Sequence, residues 1–217
     1  MNKTVVISGS SQGLGLILAN TFAAEGGWRV IGSGMSENRP EEMQDSVEYR
    51  NLDSSSPGAT QDFWQQLKNE ASIETLCLIN NAGGYVGGLL LDLTPEDYAK
   101  QIQSVYFTAV HMTRGLINNF EHAKIFNMLS ASAMTPLADN GAYGAAKSAA
   151  AHFFQSLQKQ YPPEKYQISN LYPDKMATHG PDDSAMDPNQ AAEFIRSLAN
   201  QEKTFYLKDV YIYSLKH

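Results

Sequence analysis

The sequence predicts one doubly wound α/β domain, three layers deep with about seven strands, and three observations carry that expectation. Strand-length runs rich in β-branched residues alternate with longer stretches of helical periodicity. The runs are apolar almost throughout, as Leu76-Cys77-Leu78-Ile79 illustrates, which is the pattern of a parallel sheet covered on both faces. Glycine or polar punctuation follows nearly every run.

In chain order, residues 4–8 form the first expected strand and lead into a glycine turn and a helix over 14–25. Strands follow over 28–32 and 47–52, then a helix over 60–69 with apolar residues at helical spacing. A fourth strand over 73–80 precedes one long helix over 96–119, with Thr94-Pro95 as its cap and first turn. A fifth strand over 124–130, a helix over 143–161 and a sixth strand over 167–171 continue the alternation. The stretch 176–188, rich in Gly, Pro, Asp and Ser, reads either as a mobile loop within the domain or as a plain surface connection. A short helix over 189–200 and a strand over 204–213 come last.

At 217 residues, 42% hydrophobic and 18% charged, the chain suits a single domain spanning 1–217 with a core large enough to be stable. Its 16 Lys and Arg oppose 23 Asp and Glu, a formal charge of -7, so nucleic acid is not an expected partner. The lone Cys77 lies in an apolar run and cannot form an internal disulfide, which fits a reducing compartment. The first residues read as a strand rather than a targeting segment, and no run reaches the roughly 20 apolar residues of a membrane span. A cytoplasmic protein without membrane contact is the expectation.

Polar residues that could carry chemistry collect at the strand ends. The first strand ends in Ser8-Gly9-Ser10-Ser11-Gln12-Gly13-Leu14-Gly15, where glycines permit a tight turn and the free N–H groups of the following helix can face a pyrophosphate. The third ends in Asn51-Leu52-Asp53 and the fourth in Asn80-Asn81-Ala82-Gly83-Gly84; Ser130 ends the fifth, and Tyr172-Pro173 follows the sixth. In a doubly wound sheet all these ends open on the edge where ligands bind. Taken one at a time, each is equally ordinary turn chemistry. Tyr143 and Lys147 stand four apart at the start of a helix, so their side chains share one face. No His and Cys cluster with metal-ligand spacing appears, and none is expected.

The turn 8–15, Asn80-Asn81-Ala82-Gly83, Ser130, Tyr143 with Lys147, and Pro173 followed by Thr178 occur in order over about 180 residues, and this succession resembles the classical short-chain dehydrogenases/reductases. The resemblance implies a Rossmann-type fold and an NAD(P)-dependent oxidoreductase that moves a hydride between nicotinamide and a small carbonyl or alcohol. It implies a catalytic set of Ser130, Tyr143 and Lys147. Tyr143 would be the general acid and base, made acidic by the Lys147 ammonium helped by the charge of an oxidised nicotinamide, while Ser130 orients the substrate oxygen. The implied cofactor contacts are Gly9, Ser11, Gln12, Gly13, Leu14 and Gly15 at the pyrophosphate turn, Ser33 at the end of the second strand, and Leu52 with Asp53 at the adenine. Asn80, Asn81, Ala82 and Gly83 would line the ribose wall, Tyr143 and Lys147 the nicotinamide ribose, and Pro173 with Thr178 the carboxamide. Tyr85, Met134, Leu137, Met176 and His179 fall in segments that could surround the substrate. The long helices beginning near Glu96 and Tyr143 match the family's dimer faces, implying a homodimer or homotetramer.

The chain departs from the family pattern at several points. Ser104-Val105-Tyr106-Phe107 stands where an asparagine usually holds a relay water, which leaves open a second reading, a dinucleotide-binding sensor or scaffold with weak or no catalysis. Asp174 replaces the glycine after Pro173, and Ser8 replaces a threonine. The second strand ends in Ser33-Gly34-Met35-Ser36 without a carboxylate, so NADP(H) is favoured over NAD(H), with Ser33, Ser36 or Arg39 available to its 2′-phosphate.

Overall fold

A computed structural model describes residues 2–70, 72–178, 180, 182–201 and 205–215. Its strands are β1 (Lys3–Ser8), β2 (Arg29–Gly34), β3 (Val47–Asn51), β4 (Thr75–Asn80), β5 (Ala123–Met128), β6 (Tyr166–Pro173) and β7 (Asp209–Ile212). They form one sheet in the order β3-β2-β1-β4-β5-β6-β7, and every neighbouring pair is parallel. Strand order reverses between β1 and β4, so the helices on either side diverge there and leave a crevice at the carboxyl ends.

The period of two along each strand divides the core. Val6, Ile31, Leu78, Ile125 and Ile168 point to one face, under Trp64 and Leu67 of α2 (Pro57–Glu70), Met112 and Leu116 of α4 (Thr108–Asn119) and Phe154 of α5 (Gly141–Gln160). Val5, Ile7, Cys77, Ile79 and Leu171 point to the other, under Leu18 and Phe22 of α1 (Gly13–Glu25) and Ala192 and Ile195 of α6 (Pro188–Ala199). Burial of a side chain of this size contributes about 1.5–3 kcal/mol, so neither helical layer can be removed without loss of the sheet's stability. No helix among the described residues is long and apolar enough to cross a membrane.

Several boundaries differ from expectation for local reasons. The expected single helix over 96–119 divides into α3 (Pro95–Ile102), a π-helical turn (Gln103–Phe107) and α4. There the Thr108 hydroxyl donates back to the carbonyls of Ser104 at 2.8 Å and Val105 at 3.3 Å, competing for the bonds that regular α-helix would use. The expected cap is present as a full capping box: Thr94 Oγ1 accepts from Asp97 N, and the Asp97 carboxylate accepts from Thr94 N. Strand β5 stops at Met128 because Ser130 caps a short 3-10 turn, Ala131–Ala133. The last strand is shorter than expected, and Thr204 at its expected start lies outside the described residues.

Candidate active site

The turns after β1 and β4 are fastened to each other. The Ser8 hydroxyl accepts the N–H groups of Asn81 and Ala82, each at 3.1 Å, while Asn81 Nδ2 donates to the Gly9 carbonyl at 3.0 Å. Gly9 has φ +67°, and a β-carbon there would stand 2.6 Å from Ala82 Cα, so only glycine permits this approach. Gly13, at φ +56°, opens α1, and a β-carbon on it would meet only Thr178 Cβ at 3.8 Å. Gln12 supplies no capping hydrogen bond and the first turn has no acidic residue. The N–H groups of Gly13, Leu14 and Gly15 therefore retain their capacity for an external anion, which is what a dinucleotide's pyrophosphate requires. Leu14 is itself a core side chain, so only its backbone is available to the crevice.

Ser130, Tyr143 and Lys147 converge across the gap between β5 and α5. Ser130 Oγ is held by Ser132 N at 3.1 Å and approaches the Tyr143 hydroxyl without meeting hydrogen-bond geometry. One turn on, Lys147 is 6% exposed and its Nζ donates to the Met128 carbonyl at 2.5 Å. The ammonium is 5.5 Å from the centre of the Tyr143 ring, and a β-carbon on Gly83 would be 3.8 Å from it. Tyr85 packs edge-on against Tyr143, with ring centres 5.4 Å apart.

In the chain alone, Lys147 does not acidify the phenol. Burial pushes Tyr143 up to about 12, and the Ser130 hydroxyl offsets only part of that rise. Burial brings Lys147 down to about 8. In the chain alone, desolvation outweighs the attraction of an ammonium that lies over the ring and is bonded to a carbonyl. Tyr143 is thus a protonated donor at neutral pH.

The remaining anticipated residues are distributed unevenly. Ser33 is wholly buried and its hydroxyl donates to the Ile7 carbonyl at 3.4 Å. Leu52 belongs to the core and its N–H bonds the Gly34 carbonyl at 2.8 Å; Asp53 accepts from Ser55 N at 2.9 Å in a tight turn. Pro173 ends β6 opposite Ile212, and Thr178 stands over Gly13. Met134 and Leu137 are exposed between Ser130 and α5, whereas Met176 packs on the α1–α6 core. His179 lies outside the described residues. A separate groove of 440 Å³ between α2 and α4, lined by His111, Arg114 and Gly115 among others, shares none of these residues.

Sequence reasoning missed the amide network beneath the site. Asn80 Nδ2 donates to Asn127 Oδ1 at 2.8 Å, Asn127 Nδ2 to Asn170 Oδ1 at 2.9 Å, and Asn170 Nδ2 to Asp209 Oδ1 at 3.1 Å, one rung on each of β4 to β7. The signal was an asparagine in each of three apolar strands. Gln101 was missed as well: wholly buried, it accepts from Val86 N at 2.7 Å and donates to the Gly84 carbonyl at 2.8 Å, clamping the segment after β4.

Comparison with known proteins agrees with this architecture. A family profile described as short chain dehydrogenase matches residues 3–188. The 3-oxoacyl-[acyl-carrier-protein] reductase FabG of Chlamydia pneumoniae is 27% identical over 91% of this chain and 82% of its own. An uncharacterized oxidoreductase of Bacillus subtilis (strain 168), YusZ, is 26% identical over 82% of this chain and 67% of its own. Among solved structures, an alcohol dehydrogenase from the archaeon Thermococcus sibiricus complexed with 5-hydroxy-NADP superposes with a TM-score of 0.88 at 20% identity, covering 100% of this chain and 98% of the other. With its all-parallel seven-stranded sheet, its NAD(P)-binding fold and this match over residues 3–188, the chain belongs to the short chain dehydrogenase family of oxidoreductases.

Proposed function

We propose that the protein interconverts a small carbonyl compound and its alcohol with a nicotinamide dinucleotide, using Tyr143 as general acid and base. The observation that carries this reading is the convergence of the Ser130 hydroxyl, the Tyr143 phenol and the Lys147 ammonium beside an uncapped helix N-terminus. The bound dinucleotide would supply or accept the hydride. In reduction the protonated phenol of Tyr143 gives its proton to the substrate oxygen as negative charge develops there, and the Ser130 hydroxyl donates to the same oxygen. Lys147, over the ring, then opposes the charge left on the phenolate. Oxidation reverses the proton transfer.

The names of the Chlamydia pneumoniae reductase and the Thermococcus sibiricus alcohol dehydrogenase support this class of reaction. The same proposal includes one dinucleotide-binding domain over 1–217, the cofactor contacts assigned above, NADP(H) in preference to NAD(H), and a cytoplasmic homodimer or homotetramer joined through α3–α4 and α5. Tyr143→Phe is the test. It keeps the fold and dinucleotide binding and lowers carbonyl reduction by about 10²–10⁴-fold; turnover equal to the parent removes Tyr143 from the chemistry.

One observation favours a second reading, a dinucleotide-binding sensor or scaffold. Ser104 stands in the π-helical turn where the family has its relay asparagine, and its hydroxyl donates to the Gln101 carbonyl at 3.3 Å. Dinucleotide binding with no turnover across a panel of aldehydes and ketones selects that reading.

A further inference from the structure

The segment that follows β4 crosses to the segment that precedes α5 and carries an aromatic ring to Tyr143. Gly88 N donates to the Asp139 carbonyl at 2.9 Å, and the Tyr85 hydroxyl donates to the same carbonyl at 3.4 Å. Leu90 lies against Gly141, where a β-carbon would be 2.7 Å from Leu90 Cδ2. Gln101 fixes both neighbours of Tyr85, through the Gly84 carbonyl and Val86 N. Gly87 leaves room for the ring, since a β-carbon there would be 2.7 Å from Tyr85 Cε1. The edge-on contact of Tyr85 with Tyr143 is therefore built on a backbone held at both flanks.

Tyr85 is nonetheless 61% exposed, and Leu90, Met134 and Leu137 are exposed as well. Met134 and Leu137 lie on the stretch that leaves Ser130 and returns to Tyr143. That stretch is fastened to α5, because Ser148 Oγ donates to the Ala133 carbonyl at 2.6 Å, and Asn140 Nδ2 donates to Ser132 Oγ at 3.1 Å. Ser130 and Tyr143 are themselves only half-buried. Large apolar side chains left uncovered beside a few polar groups are what an apolar ligand requires. Segments 84–93 and 131–142 carry Asp92 and Asp139 as their only charged side chains. Lys147 is bonded to the Met128 carbonyl, and Lys175, beyond β6, is paired with Asp182 at 2.6 Å. An anionic substrate would meet carboxylates and no uncommitted cation among these residues.

We propose that the substrate is an uncharged aryl aldehyde or ketone, and that Tyr85 and Met134 set this preference by packing on its ring. The inference rests on the carbonyl-reducing reading above and adds to it the group borne by the carbonyl carbon. That carbon receives the hydride of the reduced dinucleotide and its oxygen the proton of Tyr143, giving the benzylic alcohol. An aromatic side chain gains from contact with a second ring beyond the area buried, and a thioether gains from a ring edge. A saturated ring of the same size gains burial alone. Because Gln101 and Asp139 hold Tyr85 before any substrate arrives, little of that gain is offset by ordering the side chain.

The test is steady-state reduction, with NADPH and with NADH, of acetophenone, cyclohexyl methyl ketone and phenylglyoxylate. The first two differ only in the ring, and the third replaces the methyl group of acetophenone with a carboxylate. The parent protein has its lowest KM for acetophenone. Tyr85→Leu raises that KM about tenfold and moves the KM for cyclohexyl methyl ketone by less than about twofold. Tyr85→Phe, which keeps the ring, retains the preference. Met134→Ala moves the ratio in the same direction as Tyr85→Leu and covers the case of a Tyr85 variant that does not fold. Equal rises for both rings in Tyr85→Leu and Met134→Ala, or a parent whose KM is lowest for either of the other two ketones, overturn the inference and leave the carbonyl reading standing. A parent that binds NADPH or NADH and reduces no compound in a broad panel of aldehydes and ketones overturns that reading instead.

Discussion

Lys147→Met should stabilise the protein at neutral pH while destroying part of its site. The fall of the Lys147 ammonium from 10.5 to about 8 is caused by burial, and it corresponds to about 3 kcal/mol of disfavoured charge. The bond from Nζ to the Met128 carbonyl is lost in the variant, which returns about 1 kcal/mol, leaving a net gain of about 2 kcal/mol at pH 7. Between about 8 and 10.5 the unfolded chain holds a proton on this lysine that the folded chain has released. The parent's stability from this group therefore rises with pH across that window, is fully present above 10.5 and is absent below about 8. Urea unfolding of parent and variant from pH 6 to pH 10.5 measures both effects, read as midpoint shifts at constant slope. The variant's advantage at pH 7 shrinks as pH rises through that window and reverses, leaving the variant about 1 kcal/mol less stable near pH 10.5, where only the lost hydrogen bond still counts. A variant less stable than its parent at pH 7, or a difference independent of pH, refutes the claim that desolvation dominates at Lys147.

Asn127→Leu removes the bonds at 2.8 and 2.9 Å to Asn80 and Asn170 and leaves a buried donor and a buried acceptor unmet. The expected loss is about 2–4 kcal/mol by urea unfolding, and a loss below about 0.5 kcal/mol removes the ladder from the account of sheet stability. Cys77 is wholly buried, and burial pushes its thiol up to about 12. A thiol reagent at pH 8 should thus label it only at the rate of unfolding, and rapid labelling of folded protein contradicts that burial.

Much of the fold was legible because its cause is local. Alternation of two in the strands and of 3.6 in the helices depends on neighbours a few residues away, and the all-apolar strands announced a sheet covered on both faces. The break at the π-helical turn was not legible, since it depends on which carbonyl the Thr108 hydroxyl reaches once the helix has formed. The site divides in the same way. Tyr143 and Lys147 share a helical face by spacing alone, and the turn at Gly9 was readable from its glycines. Gln101 passed as one more polar residue of a helix, because nothing nearby in sequence reveals that its amide meets the backbone of Gly84 and Val86.

The sequence by itself determined the alternating α/β order, the placing of polar residues at the carboxyl ends of the strands, and the pairing of Tyr143 with Lys147. Each of these rests on periodicity or adjacency along the chain. Only the tertiary structure decided that Ser130 approaches Tyr143, that Lys147 donates to Met128, and that Asn80, Asn127 and Asn170 fall in register. Those contacts join residues on different elements, so they follow from strand order, register and helix position. The shifts at Tyr143 and Lys147 arise there too, because desolvation is a property of everything packed around a group.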